Sequence, residues 1–127
     1  MPHVIIVEEE PMLRNLFVKF TEALCPPATL ISGTKNDQHA LQVFEEMAAD
    51  LIITDFETPS LAGPKLIHSL RSKGVNIPIV VASDLPEAVA PAYDAGATLF
   101  VEKTQLIKFL PIIISRYLPP NSHHPPT

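Results

Sequence analysis

Leu51-Ile52-Ile53-Thr54-Asp55 is the stretch from which the rest of the chain can be read. Its apolar residues do not alternate with polar ones, so both faces need cover. That is the mark of a central strand in a parallel sheet with helices on each side. It ends in an acid, which places Asp55 at the carboxyl end of a buried strand. Working outward, His3–Val7 is a second apolar run, followed by Glu8, Glu9 and Glu10. Pro11 then stands where proline suits the first turn of a helix.

That helix is predicted to run to about Leu24, with Leu13, Leu16, Phe17, Phe20 and Leu24 as its buried stripe, stopped by Cys25-Pro26-Pro27. A strand near Thr29–Ser32 leads through Gly33 to a helix over Lys35–Met47, its inner face Ala40, Leu41, Phe44 and Met47. Thr58-Pro59 and Gly63-Pro64 mark a loop before a helix at Pro64–Lys73. A strand at Ile77–Ala82, a helix at Pro86–Ala95 ending on Gly96, a strand at Thr98–Val101 and a helix at Gln105–Leu118 complete the pattern. Strands alternating with helices five times argue for parallel strands joined by crossover helices. Pro91 and Pro111 lie inside predicted helices and are expected to kink or shorten them.

A chain of 127 residues suits one domain. Hydrophobic residues make up 46% and charged residues 18%, enough apolar material for a core. The net charge of −5, with no cluster of Lys and Arg, argues against direct contact with nucleic acid. The single cysteine, Cys25, excludes an intrachain disulfide and a cysteine metal cluster, and the cytosol is the expected compartment. No apolar run reaches the ~18 residues of a membrane span, and no signal peptide is evident. Residues 1–118 are expected to form the domain, and the proline- and histidine-containing stretch 119–127, with His123 and His124, a solvated, extended or disordered tail.

Ligands of open parallel sheets bind at the carboxyl ends of the strands. Glu8, Glu9 and Glu10 follow the first strand, Asp55 ends the third, Ser83 and Asp84 follow the fourth, and Glu102 and Lys103 follow the fifth. Any one of these acids is explained by solvation or helix capping. Together at one rim, carboxylates with a hydroxyl and a lysine suit a hard cation plus a phosphoryl group.

At these residues the chain resembles the receiver domains of two-component response regulators. The resemblance rests on Val4–Pro11, on Leu51–Asp55 with Thr58–Gly63, on Pro78–Ser83, and on Ala95-Gly96-Ala97 with Glu102-Lys103, in order and with similar spacing over about residues 3–118. It implies a flavodoxin-like (βα)5 α/β sandwich, sheet order 2-1-3-4-5, and a signalling switch rather than an enzyme. Asp55 then corresponds to the aspartate that accepts phosphate from a histidine kinase or phosphotransfer protein. Glu8 and Glu9 correspond to the acidic pair that holds Mg²⁺ with Asp55, and Glu57 to the position whose backbone carbonyl adds a ligand. Ser83 corresponds to the hydroxyl that bonds the phosphoryl oxygen, Phe100 to the switch aromatic and Lys103 to the lysine paired with the acids. The implied partners are that kinase, a downstream protein target and a second copy bound through the fourth helix, fifth strand and fifth helix. Phe109 and Ile112 lie outside the last helix's inner face of Leu106, Ile107, Leu110, Ile113, Ile114 and Tyr117, which suits that dimer.

Three residues depart from the family pattern. Glu9 stands where an aspartate is usual, and its extra methylene shifts the carboxylate by over about 1 Å, weakening a fit to octahedral Mg²⁺. Asp84 replaces a small residue. Pointing inward ~6 Å from Asp55 it would oppose a second charge by roughly 2–3 kcal/mol at an effective dielectric of ~20; the expectation is that it caps the helix starting near Pro86. Thr104 follows Lys103 where proline after a cis bond is usual, and a trans bond is expected, since cis before a non-proline costs ~2.5–4 kcal/mol. These departures support an alternative: a pseudo-receiver that binds proteins without phosphate. A hydrolase with Asp55 as nucleophile would call for a second acid suitably placed after Asp55 and a substrate-capping insertion, and the sequence offers neither.

Overall fold

In the computed structural model, which describes residues 1–56 and 62–119, the apolar runs form the sheet and the segments between them the helices. The chain order is β1 His3–Val7, α1 Pro11–Leu24, β2 Leu30–Thr34, α2 Asp37–Glu46, β3 Leu51–Asp55 and α3 Ala62–Ser72. It continues with β4 Ile79–Ala82, a 3₁₀ turn Pro86–Ala88, α4 Val89–Ala95, β5 Leu99–Val101, a 3₁₀ turn Lys103–Gln105 and α5 Leu106–Tyr117. The strands lie in the order β2-β1-β3-β4-β5, all parallel. β3 is central, as its two-faced apolarity requires.

Strand period two divides the core. Ile5, Val7, Ile52, Ile79 and Val81 pack in one layer with Ala40, Leu66, Ile67, Leu70 and Ala92 from α2, α3 and α4. Val4, Ile6, Leu51, Ile53, Val80 and Ala82 form the other with Phe17 of α1 and Leu106, Leu110, Ile113 and Ile114 of α5. Val7 pairs with Thr54, and Asp55 pairs with Ala82, which pairs with Val101. The residues just past these positions therefore share one edge. Glu8 and Asp55 fall two residues beyond Ile6 and Ile53, on the α1–α5 face; Ser83 falls two beyond Val81, on the α2–α4 face.

Several expected packing positions are corrected. In α1 the buried residues are Phe17 and Thr21, whereas Leu16, Phe20 and Leu24 are exposed. The chain has more apolar residues on this helix than the sheet can cover, so the stripe turns toward Thr21, whose hydroxyl donates to the Phe17 carbonyl. Met47 is exposed because α2 ends at Glu46 and Met47 is its extended cap. Pro91 is tolerated because the fourth helix begins as a 3₁₀ turn, leaving Pro91 in the first turn of α4, where no amide donor is needed. α5 runs through Pro111 to Tyr117 without ending early.

Arg71 closes the edge of the sheet opposite the site. Its guanidinium donates to the carbonyls of Val75, Ile77 and Gly96 at 2.9, 2.8 and 3.0 Å. Gly96 caps α4 at φ 111°, and a Cβ there would lie 2.8 Å from Arg71 Cγ, so both its conformation and its space call for glycine.

Candidate functional site

Glu8 continues the sheet past β1: its amide donates to the Thr34 carbonyl at 2.9 Å. Its side chain is 1% exposed. Oε2 accepts the Glu10 amide at 3.0 Å, and Oε1 lies 2.7 Å from Lys103 Nζ. The latter contact is held by charge rather than by an aligned hydrogen bond. Asp55 ends β3, and its Oδ2 accepts from the same Nζ at 3.1 Å. One ammonium thus lies between two carboxylates that β1 and β3 bring to the same edge. Burial, then the charge of Glu8, push the Asp55 carboxyl up to about 6, with Lys103 opposing them.

Glu9 is exposed on the rim, and Arg14 bonds the Glu8 carbonyl rather than either acid's side chain. Glu10, the third acid of the run, caps α1 by accepting the Leu13 amide at 2.7 Å, the capping role open to any one acid of the rim. Glu8, Glu9, Glu10, Pro11, Leu13 and Lys103 line a groove of about 510 Å³ opening beside the carboxylates. Glu57 lies outside the described residues. Among the described residues no group of three or more Asp, Glu, His or Cys side chains converges as a metal cage. Mg²⁺ seldom has an all-protein cage, however, and is commonly held by one or two carboxylates with substrate phosphate and water. Glu8 and Asp55 fit that share of the donor set, while Glu9 does not converge with them.

Ser83 is buried on the far side of Asp55. Its hydroxyl donates to the Phe56 carbonyl at 2.6 Å and accepts the Leu85 amide at 3.1 Å. Phe100 is half-buried against the α2–α4 core layer, and its amide donates to the Tyr93 hydroxyl at 3.0 Å. The expected cap role of Asp84 is not observed: Leu85 occupies the N-cap of the 3₁₀ turn, with no side-chain cap bond. Ser83 already takes the Leu85 amide, and the Asp84 carboxylate instead accepts the Thr104 amide at 3.1 Å. No described peptide bond is cis, so the expected trans Lys103–Thr104 bond is present, and Lys103 still reaches the acids. The Asp84–Thr104 link escaped sequence reasoning. The available signal was an amide at 104, which a proline there would lack.

The raised Asp55 carboxyl has a consequence for stability. The folded state binds this proton more tightly than an unfolded chain with the ordinary value of 3.8. The charged carboxylate therefore costs stability above about pH 6, a cost that fades as pH falls toward 4. Discounted for partial exposure, the cost is about 1–2 kcal/mol. Asp55→Asn should melt higher than the wild type at pH 7.5 and converge with it by pH 4. Asp37, also pushed up to about 6 by burial, titrates in both proteins and cancels in the comparison. A variant that melts lower at pH 7.5 would show that Asp55 carries no such cost.

Known proteins share this frame. The Treponema denticola protein-glutamate methylesterase/protein-glutamine glutaminase is 30% identical over 104 residues, covering 79% of this chain and 28% of that protein. The Escherichia coli nitrate/nitrite response regulator NarL is 28% identical over 102 residues, covering 79% of this chain and 47% of NarL. The chain thus spans less than half the length of these relatives. Among solved structures, a LuxR-family DNA-binding response regulator from Staphylococcus aureus superposes with a TM-score of 0.79 at 24% identity, covering 92% of this chain and 98% of that one. Vibrio cholerae CheY4 superposes at 0.78 with 20% identity, covering 93% and 99%. Thermotoga maritima TrrA, in complex with Mg(2+)-BeF, superposes at 0.68 with 23% identity, covering 87% and 99%. The response regulator receiver domain family matches residues 4–113, and with the parallel 2-1-3-4-5 sheet and the carboxylates at its edge, this chain belongs to that family.

Proposed function

We propose that the chain is a phosphorylation-controlled switch in which Asp55 takes a phosphoryl group from the phosphohistidine of a kinase or phosphotransfer protein. The observation that carries this reading is Lys103 Nζ, 3.1 Å from Asp55 and 2.7 Å from Glu8. An Asp55 oxygen forms a bond to phosphorus while the P–N bond breaks and its electron pair returns to the histidine ring. Lys103 neutralises charge on the transferred group, and catalysis is positioning and charge compensation. Mg²⁺ would be held by Glu8 and Asp55 and would supply the remaining positive charge; the Mg(2+)-BeF complex of TrrA supports this assignment.

Ser83 and Phe100 are the switch pair. Ser83 exchanges the Phe56 carbonyl for a phosphoryl oxygen, a stronger charge-assisted acceptor, and Phe100 repacks on the α4 side. The cytoplasm is the proposed compartment, and the net charge of −5 argues against direct contact with nucleic acid. No helix among the described residues is long and apolar enough to cross a membrane.

Incubation with Mg²⁺ and a small phosphodonor should add one phosphoryl mass to the wild type and none to Asp55→Asn. No labelling of the wild type under conditions that label an ordinary receiver would reject this reading in favour of a phosphate-independent interaction module, the reading that the exposed Glu9 supports.

The readout surface is assigned to α4, β5 and α5, where Leu99, Phe100, Gln105, Phe109 and Ile112 line a largely apolar groove of about 530 Å³. Ile112 is 63% exposed. A second copy bound on this face would cover it. Sedimentation of the phosphodonor-treated protein should show dimer, and Ile112→Glu should leave monomer while Asp55 still labels. An unchanged dimer in Ile112→Glu would move the interface elsewhere.

A further inference from the structure

We infer that Asp84 is a positioning residue for Lys103, acting through its hydrogen bond to the Thr104 backbone amide. The bond joins two loops that each carry part of the site. Past the ends of β4 and β5 the ladder continues: the Ser83 amide donates to the Val101 carbonyl at 3.1 Å, and the Lys103 amide to the Ser83 carbonyl at 3.2 Å. The next link in that direction is a side chain, Asp84 Oδ1, which accepts the Thr104 amide at 3.1 Å. The backbone of Lys103 is thereby fastened to the β4–α4 loop at its own amide and at the one that follows.

The fastening matters because of what the Lys103 side chain must do. Its ammonium is 2.7 Å from Glu8 and 3.1 Å from Asp55, carboxylates supplied by two other strands. Lys103 opens a 3₁₀ turn of three residues whose N-cap, Glu102, makes no side-chain cap bond. The Thr104 amide lies in the first turn, where helix geometry leaves donors without a partner, and Asp84 takes it from across the loop. An acid accepting an amide makes a charge-assisted bond, stronger than a neutral one. The two unusual residues, Asp84 and Thr104, thus work as one unit: position 104 supplies an amide proton, and position 84 an acceptor for it. The Thr104 hydroxyl has no part in the bond.

The test uses the full chain and a readout that does not need phosphorylation, so it stands apart from the proposed function. Nuclear magnetic resonance follows the Thr104 amide and the Lys103 ammonium, whose protons exchange slowly while it is held between the acids. Asp84→Ala should speed exchange at both by at least about tenfold with the rest of the spectrum native. Asp84→Asn keeps the Oδ1 acceptor and should restore most of the protection, and Thr104→Ala keeps the amide and should match the wild type. Unchanged Lys103 exchange in Asp84→Ala, with the Thr104 amide deprotected, would overturn the inference, since the bond would then hold the loop without holding the lysine. Equal loss in Asp84→Asn and Asp84→Ala would also overturn it, assigning the effect to charge alone.

Discussion

Two carboxylates, Glu8 and Asp55, are held at one edge of the sheet with little water around them, and a single ammonium between them makes that arrangement tolerable. An unpaired buried charge costs several kcal/mol, so removing the lysine would force one acid to protonate or the strand ends to part. The rest of the site follows from this triad. Strand pairing fixes the acids, since Glu8 follows Val7 beside Thr54 and Asp55, and the two core layers hold those strands rigid. Lys103 lies beyond the end of its strand and so depends on loop contacts in a way the acids do not.

The same arithmetic bears on the proposed phosphoryl transfer. One positive charge against two negative leaves a net deficit, seen in the upward displacement of Asp55. A divalent cation beside the acids would reverse the sign and favour the ionised form of Asp55. The Ser83 hydroxyl is already buried and bonded to the carbonyl of Phe56, the residue after Asp55, which ties the loop past β4 to the end of β3. The exposed apolar side chains of α5, Phe109 and Ile112, lie on the same flank as Phe100.

Much of this was legible in the sequence because strand ends and apolar runs are local signals. Leu51–Asp55 announced a central strand, and the acids after β1 and at the end of β3 with Lys103 after β5 announced the rim. The inner face of α5 was read correctly from its spacing: Leu106, Leu110, Ile113 and Ile114 are buried. In α1 the spacing misled, since Leu16, Phe20 and Leu24 fit a helical stripe as well as Phe17 does. Periodicity cannot say which of two apolar stripes meets the sheet. Asp84 was assigned to the nearer helix because capping is a local habit, whereas its partner Thr104 lies 20 residues away and is reached only through the parallel pairing of β4 with β5. Capping is open to any acid of the rim, and Glu10 caps the helix next to it, although its longer side chain is not among the favoured capping types.

The central claim is that Lys103 stabilises the fold by pairing with Glu8 and Asp55 together, and a double-mutant cycle on urea unfolding at pH 7.5 measures it. Lys103→Met in the wild-type background should cost about 3 kcal/mol by stranding two carboxylates. In a Glu8→Gln background the same substitution should cost less by roughly 1–2 kcal/mol, because only Asp55 is then stranded. Costs that agree within about 0.5 kcal/mol in the two backgrounds would contradict the shared pairing.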